Sequence, residues 1–298
     1  MMRQTRCLGI LLGCGLWITG CGDDSSTTPP SRPPRNTYPD FKHISGYVNG
    51  VWTKDHNPYV ITGEALVSDG DSLIIQPGVE IVALSTINLE RNGLLRFDGN
   101  STHPTRFVHN NAYVGGGIFG GTGRFQANYA VFEGHGKSII VGMNSKINHS
   151  IFSEIFLEFA DFFSEAYDSI IIRNCIFAGY RPWNNPSGGA QLNTVNPYFL
   201  DSSKTVIRKN LFYTGIGDST WAMDPPAIVD VWVKGKSGNT EIKGRQWPGN
   251  GNLFGDPRWV KYNYVGPSPA GISDNDYHLQ PGSPAIGAAS DGTNIGAY

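Results

Sequence analysis

Apolar and polar positions alternate in short runs along most of the chain, and the runs repeat. The pattern apolar, polar, polar, small or polar, aliphatic, Phe occurs as ANYAVF ending at Phe132, INHSIF at Phe152, IRNCIF at Phe177 and IRKNLF at Phe212. A truncated copy, GNLF, ends at Phe254. The steps are 20, 25, 35 and 42 residues. Period-two alternation is a strand signal, and a minimum repeat with growing insertions suits one rung of a coiled sheet. Such a rung needs about three short strands, at about 3.3 Å per residue, with turns between them. One rung cannot bury its own apolar face, whereas stacked rungs share a continuous core. In this register Ile147, Ile172 and Ile207 point inward, and Asn128, Asn148, Arg173 and Arg208 form one outward column. Near the start, Val79 and Ile81 face one way and Glu80 the other, after a Pro77–Gly78 turn.

Composition agrees with many short strands. Charged residues make up 16%, against about 25% in an average protein, and there are 38 glycines. Glu154, Glu158, Asp161, Glu165 and Asp168 fall at helix spacing, yet the step from Phe152 to Phe177 fits a complete rung, so a rung is the expectation. Those acids could also supply oxygen ligands to calcium, or form a solvated acidic face.

The segment NPYVITGEALVSDGDSLIIQPGVEIVAL (Asn57–Leu84) resembles the opening rungs of right-handed parallel β-helix proteins, the pectate-lyase-like superfamily. GDPRWV (Gly255–Val260) and DYHLQPGSPAIGAASDGTNIGAY (Asp276–Tyr298) look like the closing segment of such bacterial proteins. The resemblance implies an all-β fold over residues 41–298, a single-stranded right-handed parallel β-helix (solenoid) with loop insertions between rungs. It does not imply one activity, because this fold hosts lyases, hydrolases, esterases, epimerases and adhesins.

The first residues suggest export. Arg3 and Arg6 precede the short apolar run CLGILLGCGLWI, which is too short to span a bilayer. Ile18-Thr19-Gly20-Cys21 resembles a bacterial lipobox, with a competing match at Cys14. Residues 1–20 are therefore expected to be a lipoprotein signal peptide and Cys21 to be acylated. Residues 21–40 hold five prolines and form a tether. Gly22 and the Asp23–Asp24 pair fit an outer-membrane or cell-surface location. Loss of residues 1–20 removes two arginines, leaving 21 basic against 25 acidic residues. This offers no basic stripe for nucleic acid. Cys175 is then the last free cysteine, so no intrachain disulfide is available, and a monomer is expected.

Candidate chemistry is sparse. Gly134-His135-Gly136 resembles a polygalacturonase tripeptide, but inverting hydrolysis needs a carboxyl pair. Only Glu90, Asp98 and Glu133 lie between residues 85 and 133, and no later Arg-x-Lys follows. His135 is thus expected in a turn between strands, with its glycines supplying positive φ. Pectate-lyase motifs are also missing. Arg173 and Arg208 would lie on adjacent rungs, where like charges are unfavourable unless an acid or an anionic ligand sits between them. Arg suits bidentate carboxylate recognition, and Asp201 or Asp168 are the local alternatives. The insertions Tyr180–Leu200 and Tyr213–Asn250 carry Trp183, Trp221, Trp232 and Trp247, which could stack on sugar rings or pack the loops. The expectation is a protein that binds an extended, uronate-containing polysaccharide along one face. A divergent polysaccharide lyase or glycoside hydrolase, with catalytic candidates Arg173, Arg208 and His135, is the second reading. A structural or protein-binding envelope component is the third. No cofactor is evident, and Ca²⁺ enters only if the protein is a lyase.

Overall fold

The computed structural model describes residues 43–109, 117–120, 123–141, 144–159, 170–178, 192–194, 205–213, 229–235, 238–243, 251–262 and 273–298. Short strands separated by one-residue corners or tight turns pair in parallel with the strand one repeat later. They form three ladders that the chain visits in turn.

The first ladder contains β2 (Gly50–Trp52), β4 (Ser72–Ile75), β7 (Leu94–Asp98) and β10 (Arg124–Asn128). It continues through β12 (Lys146–Asn148), β14 (Ile170–Arg173) and β17 (Thr205–Arg208). The second ladder begins with the start of β3 (Tyr59–Val67), then β5 (Glu80–Ala83) and β8 (Thr105–His109). Next come the starts of β11 (Ala130–Val141) and β13 (Ile151–Phe159). It ends with β15 (Ile176–Ala178), β18 (Leu211–Tyr213) and β21 (Leu253–Phe254).

The third ladder joins the ends of β1 (Ile44–Tyr47) and β3 to β6 (Thr86–Leu89) and β9 (Gly117–Gly120). It then takes the ends of β11 and β13, β16 (Leu192–Thr194) and β19 (Val229–Gly235). An antiparallel strand, β20 (Gly238–Lys243), follows β19. The architecture is all-β, with large parallel sheets compatible with a β-helix or solenoid and no α-helix among the described residues.

Every letter of the six-residue pattern has a place. In INHSIF, Ile147 is fully buried inside the first ladder and Asn148 faces out. His149 turns the corner with φ 44°, as do Tyr129 (48°), Asn174 (57°), Lys209 (54°) and Gly251 (59°) at the matching corners. A single left-handed residue suffices to redirect the strand, and Asn, His and Gly carry that conformation at lower cost than β-branched residues.

The next residue, Ser150, is buried and small, like Ala130 and Cys175. At later corners this position is Asn210 and Asn252. Asn210 Oδ1 accepts from the Cys175 N–H (2.9 Å) and its Nδ2 donates to the Ile172 carbonyl (3.2 Å), while Asn252 Oδ1 accepts from the Asn210 N–H (3.0 Å). Corner backbone groups that leave the ladder are thereby satisfied. The closing Phe faces inward. Phe132, Phe152, Phe177 and Phe212 share one register and stack at 4.9, 4.8 and 5.2 Å. Phe254 holds the same register position.

The aliphatic position before Phe points to the opposite side of the second ladder, yet Val131, Ile151, Ile176 and Leu211 are buried too. They form a second apolar cluster with Trp259, Tyr277, Ala285, Ala289, Ile295 and Ala297 of the C-terminal segment. There, β22 (Trp259–Lys261) and β23 (Asp276–Leu279) make a small antiparallel pair. Val131 therefore fills this outer layer rather than the interior of the ladders.

Three expectations change. His135 does not sit in a turn between strands: residues 134–136 lie within β11, where the register shifts as the strand leaves the second ladder for the third. Gly134 is not at positive φ. Its lack of a Cβ matters for space, because that atom would lie 3.2 Å from Ile155 Cδ1 and 3.3 Å from His109 Cβ. The two long insertions are not continuous loops, since they contain β16, β19 and β20. Glu154 and Glu158 lie in β13, as a rung requires, while Asp161, Glu165 and Asp168 lie outside the described residues.

Candidate functional site

The second ladder is covered on its outer side; the first ladder presents its outer side as a polar sheet face. Alternation sends Leu95, Phe97, Phe125, Ala127, Ile147 and Ile172 into the core, so the intervening residues must face out. Register places Asp98, Asn128, Asn148, Arg173 and Arg208 in one column. Ile74, Arg96, Gln126, Lys146, Ile171 and Val206 form the neighbouring column.

A groove of about 230 Å³ crosses β7, β10, β12 and β14 over these two columns. At one end Arg96 and Asp98 close on each other at 2.7 Å. In the middle the Asn148 Nδ2 donates to Asn128 Oδ1 (3.1 Å), and Asn174 Nδ2 donates to Asn148 Oδ1 (3.0 Å). At the other end stand Lys146, Arg173 and, one rung further, Arg208. Among the described residues, none of these three cations makes an ion pair. Asp168 and Asp201, the local partners considered for the arginines, lie outside the described residues.

Charge is unevenly placed. The outward positions of the first ladder carry Arg96, Arg124, Lys146, Arg173 and Arg208 against Asp98 alone. That is a surplus of four positive charges on a chain whose net charge is −2. Adjacent rungs lie about 4.8 Å apart, so Arg173 and Arg208 repel unless an anion joins them. Such a face can collect anions and hold them by charge-assisted hydrogen bonds.

The remaining candidates are dispersed. His135 lies in β11 at the junction of the second and third ladders, on a different part of the sheet from the arginine column. Trp232 lies in β19, its backbone paired with Glu241 in β20. Trp183, Trp221 and Trp247 lie outside the described residues, as does Cys21.

The three carboxylates weighed for hydrolysis are engaged in structural contacts. Asp98 pairs with Arg96, Glu90 Oε2 accepts from the Asp69 N–H at 3.0 Å, and Glu133 is buried against Arg106. Among the described residues no group of three or more His, Cys, Asp or Glu side chains is placed to hold a metal ion. Cys175 lies beneath the column, fully buried, and burial pushes its thiol up to about 12. A thiol held that high is not a nucleophile near neutral pH.

Sequence reasoning found the column but missed the groove's other wall. Gln126 and Lys146 each stand one position before the six-residue pattern, and Arg96 belongs to a rung without it. Their alternation with Leu95, Phe97, Phe125, Ala127 and Ile147 was the available signal. Comparison with protein-family models, curated proteins and solved structures found no match.

Proposed function

We propose that this is an exported, lipid-anchored right-handed parallel β-helix protein, of the pectate-lyase-like kind, that binds an extended acidic polysaccharide along the outer face of the first ladder. The observation that carries the reading is the groove itself. It places unpaired cations and side-chain amides in two registered columns that run across the rungs. A polymer lying along this axis meets a new pair of side chains at each rung. Arginine and lysine would take the carboxylates of uronate residues, and the amides would take hydroxyls. Ile171, beside Arg173, offers an apolar patch for the C–H face of a sugar ring. The anchor reading rests on Cys21 and the apolar run before it, with residues 21–40 as the tether that holds the binding domain away from the lipid.

The test is affinity electrophoresis in gels containing polygalacturonate, alginate or a neutral glucan, with product formation followed in parallel by ultraviolet absorbance and reducing-end release. Retardation in the acidic gels without product is expected. Arg173→Ala is expected to weaken the binding about ten-fold or more, the loss of one charge-assisted contact of about 1.5–3 kcal/mol. Unchanged mobility of Arg173→Ala in every acidic gel would remove this face as the binding site. Product release by the wild-type chain would move it to the lyases or hydrolases.

A further inference from the structure

The groove is not uniform along its length, and this carries an inference about its ligand that rests on the polysaccharide-binding reading above. On β7 both charged side chains are spent on each other: Arg96 Nε and Nη2 approach Asp98 Oδ2 at 2.8 and 2.7 Å, with both side chains 39% exposed. On β10 the groove is lined by the amides Gln126 and Asn128, with no charge; Arg124 stands further along that strand, outside the lining. Within the lining, the cations that make no ion pair among the described residues are Lys146 on β12 and Arg173 on β14, and Arg208 follows on the next strand. From β7 to β14 the groove thus passes from a self-neutralised pair, through amides, to two successive cationic rungs, with Arg208 one rung beyond its lining.

The amides are oriented as well as placed. Asn174 donates to Asn148 and Asn148 donates to Asn128, so the chain of amide bonds runs one way. It ends at the Asn128 Nδ2 group, which is left to donate to a ligand oxygen.

We infer that the groove selects a polysaccharide whose carboxylates are interrupted by neutral sugars, and that Asp98 is the residue that sets this selectivity. An acidic unit lies over Lys146, Arg173 and Arg208. A neutral, hydroxyl-bearing unit lies over Gln126, Asn128 and the Arg96–Asp98 pair. A second carboxylate at that end meets Asp98, and the Arg96 guanidinium beside it is already engaged. Discrimination here comes from the repulsive element as much as from the attractive one.

Size-matched galacturonate oligomers, one fully acidic and one with about half its carboxylates methyl-esterified, provide the test, alongside hyaluronan oligomers that alternate acidic and neutral sugars. Affinities are measured by titration calorimetry on the whole mature chain at fixed ionic strength. The wild-type protein is expected to bind the interrupted oligomers at least five-fold more tightly than the fully acidic one, against the order set by total charge. Asp98→Asn, at a half-buried position whose side chain faces away from the core, is expected to abolish or reverse that preference. Arg173→Ala is expected to weaken binding to all of them.

A wild-type preference that follows total charge overturns the inference, as does an Asp98→Asn variant that keeps the original preference. In both cases the loss caused by Arg173→Ala still stands for the binding face. Absence of binding to every oligomer, or no effect of Arg173→Ala, overturns the binding reading and the inference with it.

Discussion

Replacing Glu133 by Ala tests how the C-terminal segment is held on the second ladder. Glu133 faces the outer layer, its side chain 7% exposed, and Arg106 Nη2 lies 2.9 Å from its Oε2 with 15% exposure. The other oxygen, Oε1, accepts from Tyr277 Oη (2.5 Å), Ser273 Oγ (2.5 Å) and Asn275 Nδ2 (3.3 Å). Arg106 in turn donates to the Ser273 carbonyl at 3.1 Å. Burial works against the Arg106 charge, and Glu133 more than offsets it, so the guanidinium is held above its ordinary value. The Tyr277 hydroxyl is pushed well above its own, by burial first and by the Glu133 charge second. Ala at 133 leaves a buried guanidinium without its counter-charge and takes one acceptor from Tyr277, Ser273 and Asn275, of which Asn275 Nδ2 keeps Tyr277 Oη at 3.3 Å. Removing one partner of a buried pair costs about 3–5 kcal/mol. Those donors share one oxygen, so their losses do not add, and about 4 kcal/mol is the expected cost.

Urea unfolding followed by tryptophan fluorescence measures it, and Trp259, one of seven tryptophans, is buried and packs edge-on to Tyr277 at 4.7 Å. With a slope of about 3 kcal/mol per molar urea, the midpoint falls by roughly 1.3 M. The double replacement Arg106→Met with Glu133→Met removes both charges and keeps most of the volume. It is expected to recover most of the loss, because a buried pair replaced by apolar residues is about neutral. A Glu133→Ala cost below about 1 kcal/mol would refute the reasoning. So would a double variant as unstable as the sum of its parts.

Two further outcomes follow from other residues. Asp291 is held at about 2, below the ordinary carboxylate value, chiefly by the Thr293 hydroxyl, with the Thr293 N–H and His149 assisting. A depressed carboxylate stabilises the fold above its unfolded value near 3.8 and loses that contribution as pH falls toward about 2. Its side chain is half exposed, so solvent screening leaves less than about 1 kcal/mol. Thermal melts of Asp291→Asn should accordingly lack that part of the acid dependence between pH 4 and 2; a profile parallel to wild type would refute the assignment. For the anchor, Cys21→Ala is expected to move the protein from the membrane fraction to the soluble one, with no acyl mass on the mature N-terminus. Unchanged partition would defeat the lipoprotein reading.

The ladder register was legible because each pattern position answers to a different physical demand. Phe is large enough to bridge the interior, the preceding corner needs a residue that accepts positive φ, and the polar residue before that must face water. Four copies of one hexad and a truncated fifth suffice to align Arg173 with Asn148 and Asn128 from the sequence alone. His135 was misjudged because glycine beside a polar residue signals a turn and equally signals a place where a strand bends under crowding. Glycine's second use, lack of bulk, leaves no mark on local pattern: Ile155 and His109, which would crowd a Cβ at Gly134, are about 20 and 25 residues away. The Glu133 network was hidden for the same reason, since Arg106 is one rung away and Tyr277 is 144 residues further on.

The outer positions of the first and second ladders differ in a way that bears on which face is free. From β11 onward the outward residue before Phe in the second ladder is aliphatic, as Val131, Ile151, Ile176, Leu211 and Leu253, after Arg106 on β8, and an exposed aliphatic column of that length would be an aggregation hazard. The C-terminal segment removes the hazard by burying it. In the first ladder the same chain places amides and cations on β10 and β12, at positions where nothing in the core requires them. Polar outward residues on a long parallel sheet are unusual, because such sheets are commonly covered on both sides. A face that is neither apolar enough to need a cover nor neutral enough to be inert is best explained by an occupant that is itself charged, extended and water-soluble. The acidic polysaccharide proposed above would meet all three conditions, and the change from the Arg96–Asp98 pair to Arg208 would give it a direction along the sheet.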